Sequence, residues 1–212
     1  MKAIGELHLP KLERTQAIVA GTQIIQQEVE TLQALQATLG EQFWQCARLL
    51  CDCPGVVWTT AVGTSATVAA RFAHILTCSG GRSMFLSTQD GLHGHTLVIQ
   101  PGDVLVAMSR GGESKEVNQM VTIANQRQAS TVAFVHNTAS TLAQLCQHLL
   151  HIPSPQEYEL GGYLATTSTV AFCAMCDALC AVVIAEKGFD PQAFGTTHPG
   201  GAVGEVLTGQ KP

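Results

Sequence analysis

Residues 103–114 read DVLVAMSRGGES, and the fold class follows from them. Val104, Leu105, Val106, Ala107 and Met108 form a short apolar run without polar alternation, the pattern of a strand buried on both faces. The run stops at Ser109. Arg110, Gly111 and Gly112 make a turn, and Glu113 and Ser114 open a segment in which Val117, Met120, Val121 and Ala124 share one helical face. A strand, a glycine turn and a helix start suit an anion: the backbone can approach closely, the first helical N–H groups lack partners, and Ser109 and Ser114 add hydroxyls. The same residues also fit an ordinary strand-to-helix turn, with the serines as caps and Glu113 favouring the helix N-terminus.

The same unit recurs along the chain. Strands are expected at residues 56–62, 83–86, 131–135 and 149–152, with helices at about 64–79, from Ser140, and over 166–187 up to Gly188, and loops over 153–162 and 194–204. Upstream, Ile18, Ile24, Ile25, Val29, Leu32 and Leu35 recur at helical steps within 12–39, and a second helix is expected over 41–50. Strand–helix alternation argues for an α/β fold: a five-stranded parallel sheet in a three-layer αβα sandwich, with an N-terminal helical extension. The expected division is residues 1–52 for the extension, 53–207 for the domain and 208–212 for a tail. The long first helix is expected to pack against a partner subunit, or else to cover one face of the sheet. Ligands in such folds sit beyond the carboxyl ends of the strands.

Composition narrows the function classes. The chain has 212 residues, 46% hydrophobic and 13% charged, with a formal net charge of −5 and only 11 Lys plus Arg. Without a basic block, nucleic acid is not an expected partner. An anionic ligand would be held largely by backbone N–H groups and hydroxyls. No secretory leader is evident at the start, and the apolar stretch over 170–185 is short for a membrane span and carries Asp177. The 8 cysteines lack paired CxxC knuckles, so buried thiols in a cytoplasmic protein are expected, with no metal.

Five segments in order carry a resemblance: Gly63-Thr64-Ser65, Leu92-His93-Gly94, residues 109–114, residues 157–169, and Thr197-His198-Pro199-Gly200-Gly201. The chain resembles a SIS (sugar isomerase) domain, most closely the arabinose-5-phosphate isomerase family, in a form closing at Pro212 without the CBS domains of many relatives. The resemblance implies a sugar phosphate as substrate or ligand, a homo-oligomer (dimer or tetramer) with shared sites, and no cofactor. It implies a phosphate site made of Gly63, Thr64, Ser65, Ser109, Arg110, Gly112, Ser114, Thr166, Thr167 and Ser168. It also implies proton transfers by Glu157 and His198, with Glu113 and His93 mapping to the family's further glutamate and histidine.

Those residue types suit aldose–ketose isomerisation. A carboxylate can remove a proton from the carbon beside a carbonyl and return it one carbon over, and a histidine can move protons between the oxygens. Read alone, each has a plainer role: Glu157 as a solvated loop carboxylate beside Glu159, His198 as a turn or cap residue, and His93 with His95 as structural or as a metal pair lacking a third ligand. Several positions depart from the family. Thr64 replaces a lysine, Arg110 an asparagine, Gly111 a serine and His95 an aspartate, while the segment after Glu157 becomes Tyr158-Glu159-Leu160-Gly161-Gly162-Tyr163. Arg110 is expected to restore charge at the phosphate. A phosphosugar sensor without catalysis is the alternative function.

Overall fold

The structure is a computed structural model that describes residues 11–197, 204, 206 and 207. Five strands, β1 (Val57–Ala61), β2 (Ser83–Phe85), β3 (Val104–Met108), β4 (Ser130–Val135) and β5 (His148–His151), form one parallel sheet in the order β2-β1-β3-β4-β5. The central strands β1 and β3 are fully buried, as expected for a sheet covered on both faces; β3 is wholly apolar, and in β1 the Thr59 and Thr60 hydroxyls donate to the Ala69 and Leu86 carbonyls. The chain order reverses between β1 and β3, which pair in register from Val57 with Val104 to Ala61 with Met108. The crevice beyond their carboxyl ends is therefore the switch point where such sheets bind ligands.

Alternate residues of each strand feed two cores. On one face, Phe134 and Val106 pack with Phe72 and Leu76 of α3 (Thr64–Cys78) and with Phe172, Met175 and Leu179 of α7 (Thr167–Lys187). The Phe72 and Phe134 ring centroids are 6.2 Å apart. α2 (Glu41–Cys51) adds Cys46, Ala47 and Leu50 to this side, and α1 (Arg14–Gln36) adds Leu35. On the other face, Leu105, Ala107 and Ala133 meet Val117, Met120, Val121 and Ala124 of α5 (Lys115–Gln126) and Leu142 of the short α6 (Thr141–Leu145). The helical face read from the sequence after Ser114 is the face that α5 buries.

Two features differ from the sequence expectation. Between β2 and β3 lie a short helix, α4 (Thr88–Gly91), and a 3-10 turn (His95–Val98), separated by Gly94; a Ser87 cap starts α4. The start of the loop expected from Phe194 is helical, as part of α8 (Pro191–Thr197), and Val206 and Leu207 are helical too. α7 forms where it is expected: it has 21 residues, enough to cross a membrane by length and apolarity alone, but it buries Phe172, Met175 and Leu179 in the core. Its Asp177 faces outward and accepts from Arg71 of α3 at 2.8 and 3.0 Å.

α1 both covers a core and extends beyond it. Thr31 and Leu35 in its last turns are buried, while Ile18 (58%) and Ile25 (63%) near its start remain exposed. The cysteines are free thiols, and burial pushes those of Cys46 and Cys146 up to about 12. Such thiols are protonated and unreactive near neutral pH.

Candidate active site at the carboxyl edge of the sheet

The loop after β3 is built by its own polar atoms. The Ser109 hydroxyl accepts from the Gly112 N–H at 3.1 Å and lies 3.2 Å from the Ser114 hydroxyl. Gly112 has φ 72°, and a Cβ there would meet the Ser140 hydroxyl at 2.0 Å, so only glycine lets the loop sit this close to α6. Gly111 faces open space. Ser109 is buried, Ser114 half-buried and Gly111 exposed, so the loop presents a hydroxyl-lined mouth at the switch point. Gly63, Thr64 and Ser65 stand beside it at the start of α3, with Thr64 exposed and Ser65 half-buried. The segments that carry the hydroxyls expected after the first and third strands thus leave adjacent strands.

Glu113 has a different task in the isolated chain. Its carboxylate accepts from the Thr141 N–H at 2.9 Å and from the Thr141 hydroxyl at 2.7 Å, and these bonds hold its pKa below the usual carboxylate value. It thereby caps α6 and ties the β3 loop to it.

The loop between β5 and α7 is pinned at several points. Arg110, half-buried, donates to the Ser154 carbonyl from Nε (3.1 Å) and Nη2 (2.5 Å), and to Gln156 Oε1 from Nη1 (2.6 Å). Glu157, in a 3-10 turn (Gln156–Tyr158), is exposed. Its neighbour Glu159 is buried, with 2% of its side chain accessible. The Glu159 carboxylate accepts from the Thr166 N–H (2.6 Å), the Thr166 hydroxyl (3.3 Å) and the Ser168 N–H (3.1 Å), and lies 3.3 Å from Arg110 Nε. The Thr167 hydroxyl donates to the Tyr158 carbonyl at 2.8 Å, and the Tyr158 hydroxyl donates to Glu30 of α1 at 2.7 Å. Arg110 therefore spends its donors on this loop. Spacing could place Arg110 on the glycine turn but gave no way to see its partner, because the pair is 49 positions apart.

The sequence reading missed a second pair. His136 follows β4 directly, and its ring centroid lies 5.9 Å from that of His151. Its Nδ1 accepts from the Ser154 N–H at 3.0 Å, so the neutral ring carries its hydrogen on Nε2. Burial first, then the Arg110 guanidinium and His151, push the His136 pKa below its ordinary 6.5. Between those values the unfolded chain binds the proton and the folded chain does not. His136 therefore contributes stability that is fully present above about pH 6.5 and is lost as pH falls toward its folded value. His136→Asn keeps an acceptor for Ser154 and removes the titration. Urea midpoints at about pH 5 and pH 7.5 should then differ less for the variant than for the parent. The only sequence signal was a turn at His136-Asn137, which does not reveal a buried ring.

His93 and His95 are exposed around Gly94. Their segment follows β2 at one edge of the sheet, whereas Glu157 follows β5 at the other. The segment packs back against α5, where a Cβ on Gly91 would meet the Met120 side chain. His198 lies outside the described residues. Among the described residues no group of three or more His, Cys, Asp or Glu could hold a metal ion.

The SIS-domain family matches residues 53–182. The chain belongs to the SIS-domain family. Among curated relatives, the arabinose 5-phosphate isomerase KdsD of Yersinia pestis is 30% identical over 188 residues, which are 89% of this chain and 57% of that protein. The chain thus spans less than two thirds of that relative. Among solved structures, E. coli CFT073 c3406, solved in complex with a phosphosugar, shares the fold with a TM-score of 0.84 at 22% identity, over 89% of this chain and 100% of that one. The sugar isomerase domain of an RpiR transcription factor from Sphaerobacter thermophilus has a TM-score of 0.65 at 20% identity, covering 78% of this chain and 89% of that one. This SIS domain therefore shares its fold with both a phosphosugar-bound protein and part of a regulator.

Proposed function

We propose that this SIS domain is an aldose–ketose isomerase of the arabinose-5-phosphate isomerase type, acting on a sugar phosphate through an enediol. The observation that carries the reading is the pairing of β1 with β3, whose two following segments bear the hydroxyls and flank the switch point of the sheet. The phosphate lies against Ser65, Ser109 and Ser114 with the backbone of Gly63, Thr64 and Gly112, and it fixes the sugar so that its first two carbons reach the β5 loop. Glu157, exposed there and free of the bonds that occupy Glu113 and Glu159, takes the proton from the carbon beside the carbonyl and returns it to the neighbouring carbon. His198 moves the proton between the two oxygens. Electrons shift only within the sugar, so no redox cofactor is required.

His93, exposed on its own chain, enters the site from a second copy of the chain. The exposed apolar residues at the start of α1 suit the same assembly. The lysine-to-Thr64 change and the engagement of Arg110 by its own loop favour a second reading, a phosphosugar sensor that binds without turnover. Incubation with a panel of pentose and hexose phosphates in heavy water decides between them. Ketose formation with deuterium on the product marks an isomerase, and thermal stabilisation without exchange marks the sensor. In either case, Ser109→Ala should weaken phosphate-ester binding about tenfold, the value of one hydrogen bond to a charged group, by isothermal titration calorimetry.

A further inference from the structure

We propose that Glu159 is a built-in occupant of the anion position at the start of α7, and that it withdraws this helix from phosphate binding and leaves the ester to the loops after β1 and β3. The inference rests on the phosphosugar reading above and sets how that site discriminates among ligands.

The first turn of a long helix offers unpaired N–H groups and favours negative charge. In α7 two of those groups are already used: Thr166 and Ser168 N–H both donate to the Glu159 carboxylate, as does the Thr166 hydroxyl. The arrangement is the one a bound oxyanion would adopt, but the anion belongs to the chain. Arg110 completes it at 3.3 Å while reaching the Ser154 carbonyl and Gln156. The carboxylate has 2% side-chain exposure, so it is not a surface group that happens to lie near the helix. The chain enters this position by a tight turn: Gly161 and Gly162 have φ 61° and 77°, and the Gly162 N–H donates back to the Glu159 carbonyl at 2.7 Å. Arg110 and Glu159, two positions that depart from the family pattern, thus form one contact. A phosphate reaching α7 would have to displace a buried carboxylate that already has donors on both oxygens. A second effect concerns the reacting end of the site: Glu157 lies two positions before Glu159, so the same contact sets where Glu157 stands.

The test is inorganic phosphate binding measured by titration calorimetry on the full chain. In the parent protein, Thr166→Val should change affinity less than twofold, because the group it removes already serves Glu159. Glu159→Ala should bind phosphate at least fivefold more tightly, and in that background Thr166→Val should lose at least threefold. A gain in Glu159→Ala that is indifferent to Thr166 overturns the proposal, since it reports only the removal of a nearby negative charge. No gain in folded Glu159→Ala overturns it too. If Glu159→Ala does not fold, Thr166→Val in the parent decides: unchanged affinity supports the proposal and a tenfold loss overturns it. Phosphate binding that is absent, or undiminished by Ser109→Ala, overturns the phosphosugar reading and the inference with it. Binding that needs Ser109 and equally needs Thr166 in the parent overturns the inference alone.

Discussion

Glu157→Gln should lower kcat of the proposed isomerisation by about 10²–10⁴-fold, the range that general acid–base groups supply, and leave KM for the sugar phosphate little changed. The amide has nearly the volume of the carboxylate and cannot accept a proton from carbon. In the proposed site, binding energy comes mainly from the phosphate, placed against the two serine-bearing segments that follow the paired strands β1 and β3. The variant should fold normally, because the Glu157 side chain is exposed and the loop is pinned by Arg110, Glu159 and Tyr158. Exchange of substrate hydrogen with heavy water should fall in step with kcat. If kcat holds within threefold, another group is the base. If KM rises tenfold with kcat unchanged, Glu157 is a binding residue.

Asp103→Ala should destabilise the fold by roughly 3–5 kcal/mol, the cost of several buried donors at about 1–3 kcal/mol each. Asp103 is 5% exposed at the base of β3. Its Oδ1 accepts from the Val56 N–H at 2.7 Å, and its Oδ2 accepts from the Trp58 indole at 2.8 Å and from the Gln100 N–H at 2.8 Å. One carboxylate therefore joins the entry of β1, the turn before β3 and a buried indole. The fit is close: a Cβ at Gly55 would lie 2.1 Å from Oδ1. Against a typical total of about 5–15 kcal/mol, such a loss should lower Tm by roughly 10 °C. Asp103→Asn should recover only part of it, because the amide nitrogen faces a donor on one side. Urea unfolding at constant m checks both variants. A loss under about 1 kcal/mol for the alanine variant would show that water replaces the carboxylate.

The two residues differ in how far the sequence exposes them. Glu157 stands in a motif whose order and spacing can be compared by eye. Asp103 opens the decisive strand, and nothing about an aspartate before an apolar run tells that a tryptophan 45 positions earlier donates to it.

The local chemistry of the chain settles the strands and their order of appearance, because a five-residue apolar run such as 104–108 has only a doubly covered sheet to enter. It also settles the glycine turn after Met108 and the helix that follows, since periodicity and turn residues act over a few positions. It missed α4 and the 3-10 turn around His93, whose short lengths leave no period to read. Partnership is decided by tertiary structure. Whether a carboxylate is solvated, caps a helix or neutralises a guanidinium depends on what the fold brings within about 3 Å, and the sequence is nearly silent on contacts across distant loops. Glu113, Glu157 and Glu159 show the point: three glutamates of one edge of one sheet, of which one caps α6, one fills the start of α7, and one remains exposed.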